Sequence, residues 1–337
     1  METAVPARHY QRVGGLAECM VCERGCKIPV DGRGYCRNRV NRGGRLYYMF
    51  YECLSALEPR PIEVKPLYHY YPGTYALTYS GYGCNFPCPW CQNWGLSKTD
   101  PSTMPCTYVS PEELVERAVR ASCRGVCASF NEPTIHLEYV LDVTGEAVRE
   151  NLYSCIVTNG YMSLASLEDM LEAGITGYSI DIKGCPETYR RFIGADPEIV
   201  YRNARYILSR GGHVEMVYLV VPGANDWDEC VDYVLSRHAD LLGEETPLHI
   251  NRYYPAYMYR EPPTPIEKLL EIRDKAMREY NIKYVYVGNT HLYELQDTVC
   301  PRCGKKLIVR RPGYVEVKTT SDYRCPRCGE KIPVYCG

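Results

Sequence analysis

Along the middle of the chain, short apolar runs alternate with stretches whose apolar residues recur at helical spacing. Thr74–Ser80 reads as a strand and leads into a cysteine-bearing loop. Ser110-Pro111-Glu112-Glu113 has the form of a helix start: a capping hydroxyl, proline at the first helical position and acids in the first turn. Leu114, Val115, Ala118 and Val119 then share one helical stripe. The same reasoning predicts strands at Gly125–Phe130, Tyr153–Thr158, Tyr178–Lys183, His213–Val221, His249–Arg252 and Tyr284–Val287. Between them it predicts helices over Pro133–Arg149, Leu164–Ala173, Pro197–Ser209, from Asp226 onward, and over Ile266–Tyr280.

Strand–helix units in this number predict an α/β protein with a parallel sheet, a full or partial (β/α) barrel of the TIM type. In such barrels chemistry sits where the strands end. Polar clusters fall at those ends: Gly83–Trp94, Asn131-Glu132-Pro133, Thr158-Asn159-Gly160, Asp181-Ile182-Lys183, Pro222–Asp226 and Asn251–Pro255. Loops of any protein collect Asn, Pro and Gly, which accounts for part of the coincidence. The 337 residues suggest one large domain with small attachments: residues 1–70 as a Cys-rich N-terminal element, 71–290 as the barrel and 291–337 as a C-terminal module. A net charge of −2 argues against a general nucleic-acid binder, which needs clustered Lys and Arg in excess. The first residues lack the apolar core of a signal peptide, and no stretch approaches the ~20 apolar residues of a membrane span. A cytoplasmic location and no membrane partner are the expectation.

The 19 cysteines change the picture. In a large chain without a signal sequence they read as reduced thiols, either metal ligands or small buried hydrophobes. Three spaced sets take eleven of them: Cys19, Cys22, Cys26 and Cys36; Cys84, Cys88 and Cys91; Cys300, Cys303, Cys325 and Cys328. Packing is the reading for the other eight, Cys53 and Cys106 among them. The last set forms two matched C-P-R-C-G knuckles around a hairpin with its turn at Arg311-Pro312-Gly313-Tyr314, the pattern of a closed zinc ribbon. A single iron fits the same ligands. The first set suits zinc or an iron–sulfur cluster equally. The middle set, C-x3-C-x2-C in GCNFPCPWCQN, supplies three thiolates from one short loop. Three thiolates can hold three irons of a [4Fe–4S] cluster and leave the fourth open to a ligand; a zinc site completed by a remote residue is the alternative.

On these residues the chain resembles the radical S-adenosylmethionine (SAM) superfamily. The likeness runs from the loop through Ser129–Ile135, Thr158–Tyr161, Asp181–Lys183 and Pro222–Asp226. It is similar to the branch of activating enzymes related to the pyruvate formate-lyase activase. It is also similar to the radical SAM proteins of the AmmeMemoRadiSam system, on the N-terminal cysteines, Ile62–His69 and His249–Pro255. The resemblance implies a partial barrel of the radical SAM kind. It further implies SAM chelated by the open iron of a cluster on Cys84, Cys88 and Cys91, and one-electron cleavage to a 5′-deoxyadenosyl radical that abstracts hydrogen from a substrate. Trp90 would sit against the cluster and adenine, and Asn131 and Glu132 would meet the SAM amino group. Thr158 and Asn159 would line the ribose. Lys183, paired with Asp181, would bind SAM or poise the substrate, and His249 would reach the mouth from a late strand. Implied partners are a small molecule or a peptide loop as substrate, a flavodoxin or ferredoxin as electron donor, and Memo-type and AMMECR-type proteins. Against this stands a non-catalytic reading, a metal-bound interaction or electron-transfer module, which has no use for the clusters at the strand ends.

Overall fold

A computed structural model describes residues 3–337. The chain divides into two compact units. The first gathers the chain up to Arg60 with residues 75–178 and 193–195; the second gathers residues 61–74, 179–192 and 196–337.

Eight strands form the main sheet: β1 (Ala56–Pro61), β2 (Tyr75–Ser80), β3 (Gly125–Ala128), β4 (Tyr153–Thr158), β5 (Ile175–Ile182), β6 (His213–Val220), β7 (Leu248–Arg252) and β8 (Val285–Gly288). Their order in the sheet is β8-β7-β6-β5-β4-β3-β2-β1, which follows the chain without a reversal. The pairs β2–β3, β3–β4, β6–β7 and β7–β8 are parallel, with Gly125 opposite Ala76 and Tyr153, and His249 opposite Val217 and Tyr286. This is the α/β architecture with a large parallel sheet that the sequence predicts. Helices α1 (Pro111–Arg120), α2 (Leu137–Arg149), α3 (Leu164–Ala173), α4 (Pro197–Ser209), α5 (Asp228–Leu242) and α6 (Ile266–Arg278) alternate with the strands. Their starts are chemically marked. Ser110, Ser163 and Asp196 accept the backbone N–H of Glu113, Ser166 and Glu198 on their side chains, satisfying donors that the first turn leaves free. The segment from Pro133 is helical as predicted but in two pieces, a 3-10 turn over Pro133–His136 and then α2.

The first unit adds small antiparallel ladders. Tyr10–Val13, Leu16–Cys19 and Lys27–Ile28 form one; Val5–Pro6, Arg45–Tyr48 and Arg39–Arg42 form another. Ala17, Ile28, Leu46 and Tyr48 from these ladders are buried. One expectation is corrected here. Cys53 and Cys106 are not isolated packing residues: they form a disulfide, Cα–Cα 5.0 Å, beside the short ladder in which Cys53 faces Tyr108.

In the second unit β9 (Lys306–Arg311) and β10 (Tyr314–Val317) form the predicted hairpin. Leu307, Ile332, Cys300 and Cys325 pack with Tyr68, Tyr284 and Tyr286 in one apolar cluster.

Candidate active site

The cysteine loop leaves β2 at Ser80 through two glycines that nothing larger can replace. A Cβ on Gly81 would stand 2.4 Å from the His136 ring, and one on Gly83, at φ +92°, would stand 2.6 Å from Asn38 Nδ2. The loop is then tied down from several sides. Asn38 Nδ2 donates to the carbonyls of Cys36 and Tyr82, both at 2.9 Å. Asn93 Nδ2 donates to the Phe130 carbonyl at 2.7 Å, and the Lys98 ammonium donates to the Phe86 carbonyl. Trp90 is buried, Cys88 is buried, and Cys84 and Cys91 are half-buried.

The sulfur of Cys84 is surrounded by donors. The Phe86 N–H points at it at 3.4 Å and Asn159 Nδ2 at 3.9 Å. Burial pushes the free thiol up to about 12, with the Lys98 charge opposing. A sulfur there loses its proton only when a cation binds it, and a ligating metal displaces that proton to solvent outright. A desolvated sulfur met by N–H donors is what an iron–sulfur cluster requires of its ligands. The loop therefore fits the cluster that its spacing implies, which Cys84, Cys88 and Cys91 would hold.

Next to the loop, the residues at the ends of β3 and β4 form one hydrogen-bonded knot. Glu132 is 1% exposed and receives four hydrogen bonds. Its Oε1 accepts from the Thr134 N–H at 3.0 Å, the Thr134 hydroxyl at 2.6 Å and the Thr158 hydroxyl at 2.7 Å. Its Oε2 accepts from the Asn159 N–H at 2.8 Å. Burial raises the carboxyl above its ordinary value, and these bonds hold it back. Asn159 Oδ1 accepts from the Tyr161 N–H at 3.0 Å, so its Nδ2 is the atom that donates to Asn85 Oδ1 at 2.7 Å. Asn131 Nδ2 donates to His136 Nε2 at 2.7 Å and to the Gly83 carbonyl at 3.1 Å, and its Oδ1 accepts from the Ser80 hydroxyl. The structure thus brings Asn131, Glu132, Thr158 and Asn159 together around the cysteine loop. Glu132 also caps the 3-10 turn that follows, its side chain accepting the Thr134 N–H.

Sequence reasoning did not single out Asn85 or His136 here. Asn85 directly follows the first loop cysteine, a position that could have drawn notice. His136 accepts on Nε2 from Asn131, so its proton sits on Nδ1, facing the Tyr48 hydroxyl at 2.7 Å. Burial drives this imidazole down to about 3.

The remaining residues picked from the sequence lie in the second unit. Lys183 Nζ pairs with Asp181 Oδ2 at 2.8 Å, and both are partly buried. The Lys183 carbonyl and the Leu219 carbonyl accept from Asn225 Nδ2, each at 2.9 Å, and Asn225 Oδ1 accepts from the Val221 N–H. The Pro222–Asp226 segment is thereby a strand-to-helix turn built on a fully buried asparagine. His249 stands differently from the expectation of an opening. It is 2% exposed, its Nε2 meets Glu215 Oε2 at 2.7 Å, and its ring packs on Tyr68 and Tyr286. The other oxygen of Glu215 accepts from the His69 N–H and meets His213 Nε2. Alternation within β7 could not reveal this, because an inward strand position suits a buried, bonded histidine as well as an exposed ligand.

At the C-terminal cysteines the geometry is tight. The four sulfurs lie within 4.8 Å of one another, with Cys300–Cys328 at 3.5 Å and Cys303–Cys325 at 3.6 Å. Bonds of ~2.3 Å in a tetrahedron place thiolates about 3.8 Å apart, so the set fits a zinc ribbon. Each knuckle closes the same way: the Gly304 N–H donates to the Cys300 carbonyl, and the Gly329 N–H donates to the Cys325 carbonyl.

A parallel α/β sheet with a three-cysteine loop at the end of its second strand defines a class of SAM-dependent iron–sulfur enzymes. Residues 78–234 match the family described as the Radical SAM superfamily, and the chain belongs to that superfamily. It is 37% identical over 306 residues to the uncharacterized protein MJ0808 of Methanocaldococcus jannaschii, covering 90% of this chain and 91% of that one. It is 27% identical over 157 residues to the pyruvate formate-lyase 1-activating enzyme of Escherichia coli, covering 44% of this chain and 61% of that enzyme. In fold it is similar to SuiB of Streptococcus suis bound to S-adenosylmethionine, with TM-score 0.50 and 12% identity, covering 67% of this chain and 54% of that one. The chain spans about half the length of the SuiB structures it matches. The family implies a [4Fe–4S] cluster and SAM. Among the described residues no helix is long and apolar enough to cross a membrane.

Proposed function

We propose that the protein cleaves SAM reductively and uses the product to abstract hydrogen from a substrate carbon, with Cys84, Cys88 and Cys91 as the cluster ligands. The observation that carries this is the loop itself: three cysteines on one strand-end turn, with a buried sulfur met by the Phe86 and Asn159 donors. When bound, the reduced cluster and SAM supply one electron to the sulfonium and a 5′-deoxyadenosyl radical.

The residues of the chain hold and shield this chemistry. Glu132, Thr158 and Asn159 fix the ends of β3 and β4 against the loop, where they would offer preset acceptors and donors to the SAM amino group and ribose. Trp90, buried between the second and third cysteines, keeps water from the sulfurs. The Lys183–Asp181 pair offers an ammonium held in place for a carboxylate or a substrate oxygen. Zinc in the C-terminal ribbon is structural, since four cysteines leave no open position.

A second reading makes the substrate a polypeptide, with the protein acting as an activase. The likeness to the pyruvate formate-lyase 1-activating enzyme supports it. The resemblance to the AmmeMemoRadiSam group adds Memo-type and AMMECR-type proteins as partners, and a flavodoxin or ferredoxin as electron donor. The test is anaerobic reconstitution with iron and sulfide, then reduction with SAM present. Formation of 5′-deoxyadenosine and methionine, lost in Cys84→Ala, is the expected result. A protein with an assembled cluster that leaves SAM intact would overturn the proposal.

A further inference from the structure

The four N-terminal cysteines are part of the first unit's folded core, although their sequence does not reveal what they hold. Cys19 ends the strand Leu16–Cys19, and its N–H donates to the Cys26 carbonyl at 2.9 Å. Cys22 and Cys26 flank a turn closed by the Gly25 N–H on the Cys22 carbonyl. The Cys36 carbonyl lies where a Cβ on Gly83 would meet it at 2.7 Å, directly against the residue before Cys84. All four cysteines border one small cavity of about 20 Å³. The C-terminal set gives the contrast within the same chain, with its sulfurs drawn together as one ion requires. A tetrahedral zinc leaves no space between its thiolates. Among the described residues the N-terminal sulfurs are not drawn together in this way, and their wider frame suits a polyatomic core.

Buried donors without a nitrogen or oxygen acceptor border the same cavity. Asn85 is 1% exposed, and its side chain bonds only to the Cys22 sulfur on this side. Its orientation is fixed through a chain of bonds: the Tyr161 N–H sets Asn159, and Asn159 Nδ2 takes Asn85 Oδ1, so Nδ2 is left for the cavity. Arg39 is 1% exposed and spends its two terminal nitrogens on Glu138, both at 2.8 Å, while its Nε has no partner. A buried donor is costly to leave without a full-strength acceptor. The ligand they await is anionic and carries acceptor atoms of its own. The thiolate and inorganic sulfur atoms of an iron–sulfur cluster provide these.

We infer that Cys19, Cys22, Cys26 and Cys36 hold a second, fully ligated [4Fe–4S] cluster, with Asn85 Nδ2 and Arg39 Nε donating to its sulfurs. Asn85 is a positioning residue between this site and the SAM loop, since it follows Cys84 in the chain and is held by Asn159. The site stands independently of the proposed reaction, and its test separates the two. The wild-type chain, reconstituted anaerobically, is expected to carry about eight iron, about eight acid-labile sulfide and about one zinc. The variant Cys84→Ala/Cys88→Ala/Cys91→Ala is expected to retain about four iron and about four sulfide. Its reduced EPR signal should be indifferent to SAM. Cys19→Ser/Cys22→Ser in the otherwise native chain should lose about half of the iron. Asn85→Leu on the triple-variant background should move the remaining cluster's reduction potential downward, because an N–H donor to sulfur is removed. Wild-type protein with about two zinc and about four iron, a triple variant free of sulfide, or an unchanged iron content in Cys19→Ser/Cys22→Ser would overturn the inference. Equal iron, near four per chain, in wild type and triple variant would sustain it while removing the cluster proposed at Cys84.

Discussion

Glu132 shows how a strand-end carboxylate serves the site before any ligand arrives. Its four hydrogen bonds come from Thr134, Thr158 and Asn159, on both sides of the gap between β3 and β4. Glu132→Gln replaces one acceptor oxygen with an amide that faces a donor. The expected loss is about 1–3 kcal/mol of stability, read as a lower urea midpoint. An unchanged midpoint would mean that the knot does not hold the loop. Gly81 makes a second case. Its missing Cβ is the room in which the His136 ring sits, and that ring cannot yield because Tyr48 and Asn131 both hold it. Gly81→Ala should therefore lower both the thermal midpoint and the iron retained after reconstitution, whereas Gly95→Ala, in open space, should change neither.

At the level of elements, the alternating pattern was legible because the buried strands and helices obey local rules. The helix starts after Ser110, Ser163 and Asp196 are written in those capping residues, and the observed starts of α1, α3 and α4 follow from them. β1 was not legible: it reads Ala-Leu-Glu-Pro-Arg-Pro, and its prolines, which lack a ladder donor, are tolerated because it is an edge strand. The N-terminal ladders were not legible either, since two- to four-residue strands such as Tyr10–Val13 carry too few apolar positions to show a period. The disulfide escaped for another reason. Cys53 and Cys106 are separated by 53 residues, and pairing over that distance is fixed by the tertiary fold, not by spacing. Closing a loop of that length restricts the unfolded chain by about 4 kcal/mol. Cys53→Ser/Cys106→Ser should lower stability by an amount of that order, measured by urea unfolding with the metal sites loaded. Equal midpoints would show that the bond contributes nothing in solution.

Across the whole molecule, buried histidines set the response to acid. Burial depresses His69 and His136 to about 3 and His238 to about 4. In the unfolded chain each would take a proton near ~6.5. The unfolded state therefore binds protons first as acid is added. Stability is full above the unfolded value and falls as the pH drops towards the folded ones, by up to ~1.4 kcal/mol per pH unit for each histidine. Glu215 and Glu138, held low by His213 with His249 and by Arg39, add loss in the same direction at lower pH. The urea midpoint should decline steadily from about pH 7 to about pH 5, and a flat profile would contradict these burials.

Much of the candidate site was legible because the three loop cysteines share one short stretch, and Glu132 and Asn225 lie at strand ends. What escaped, Asn85 and the true surroundings of His249, depends on contacts between residues far apart in the chain. The most direct measurement of the central claim is pulsed EPR on the reduced protein with SAM labelled with 15N in its amino group and 17O in its carboxylate. Nuclear couplings from both labels, present in the native chain and absent in Cys84→Ala/Cys88→Ala/Cys91→Ala, are the result expected if the loop's cluster offers SAM an open iron. A reduced cluster on this loop whose spectrum carries neither coupling at saturating SAM would contradict it.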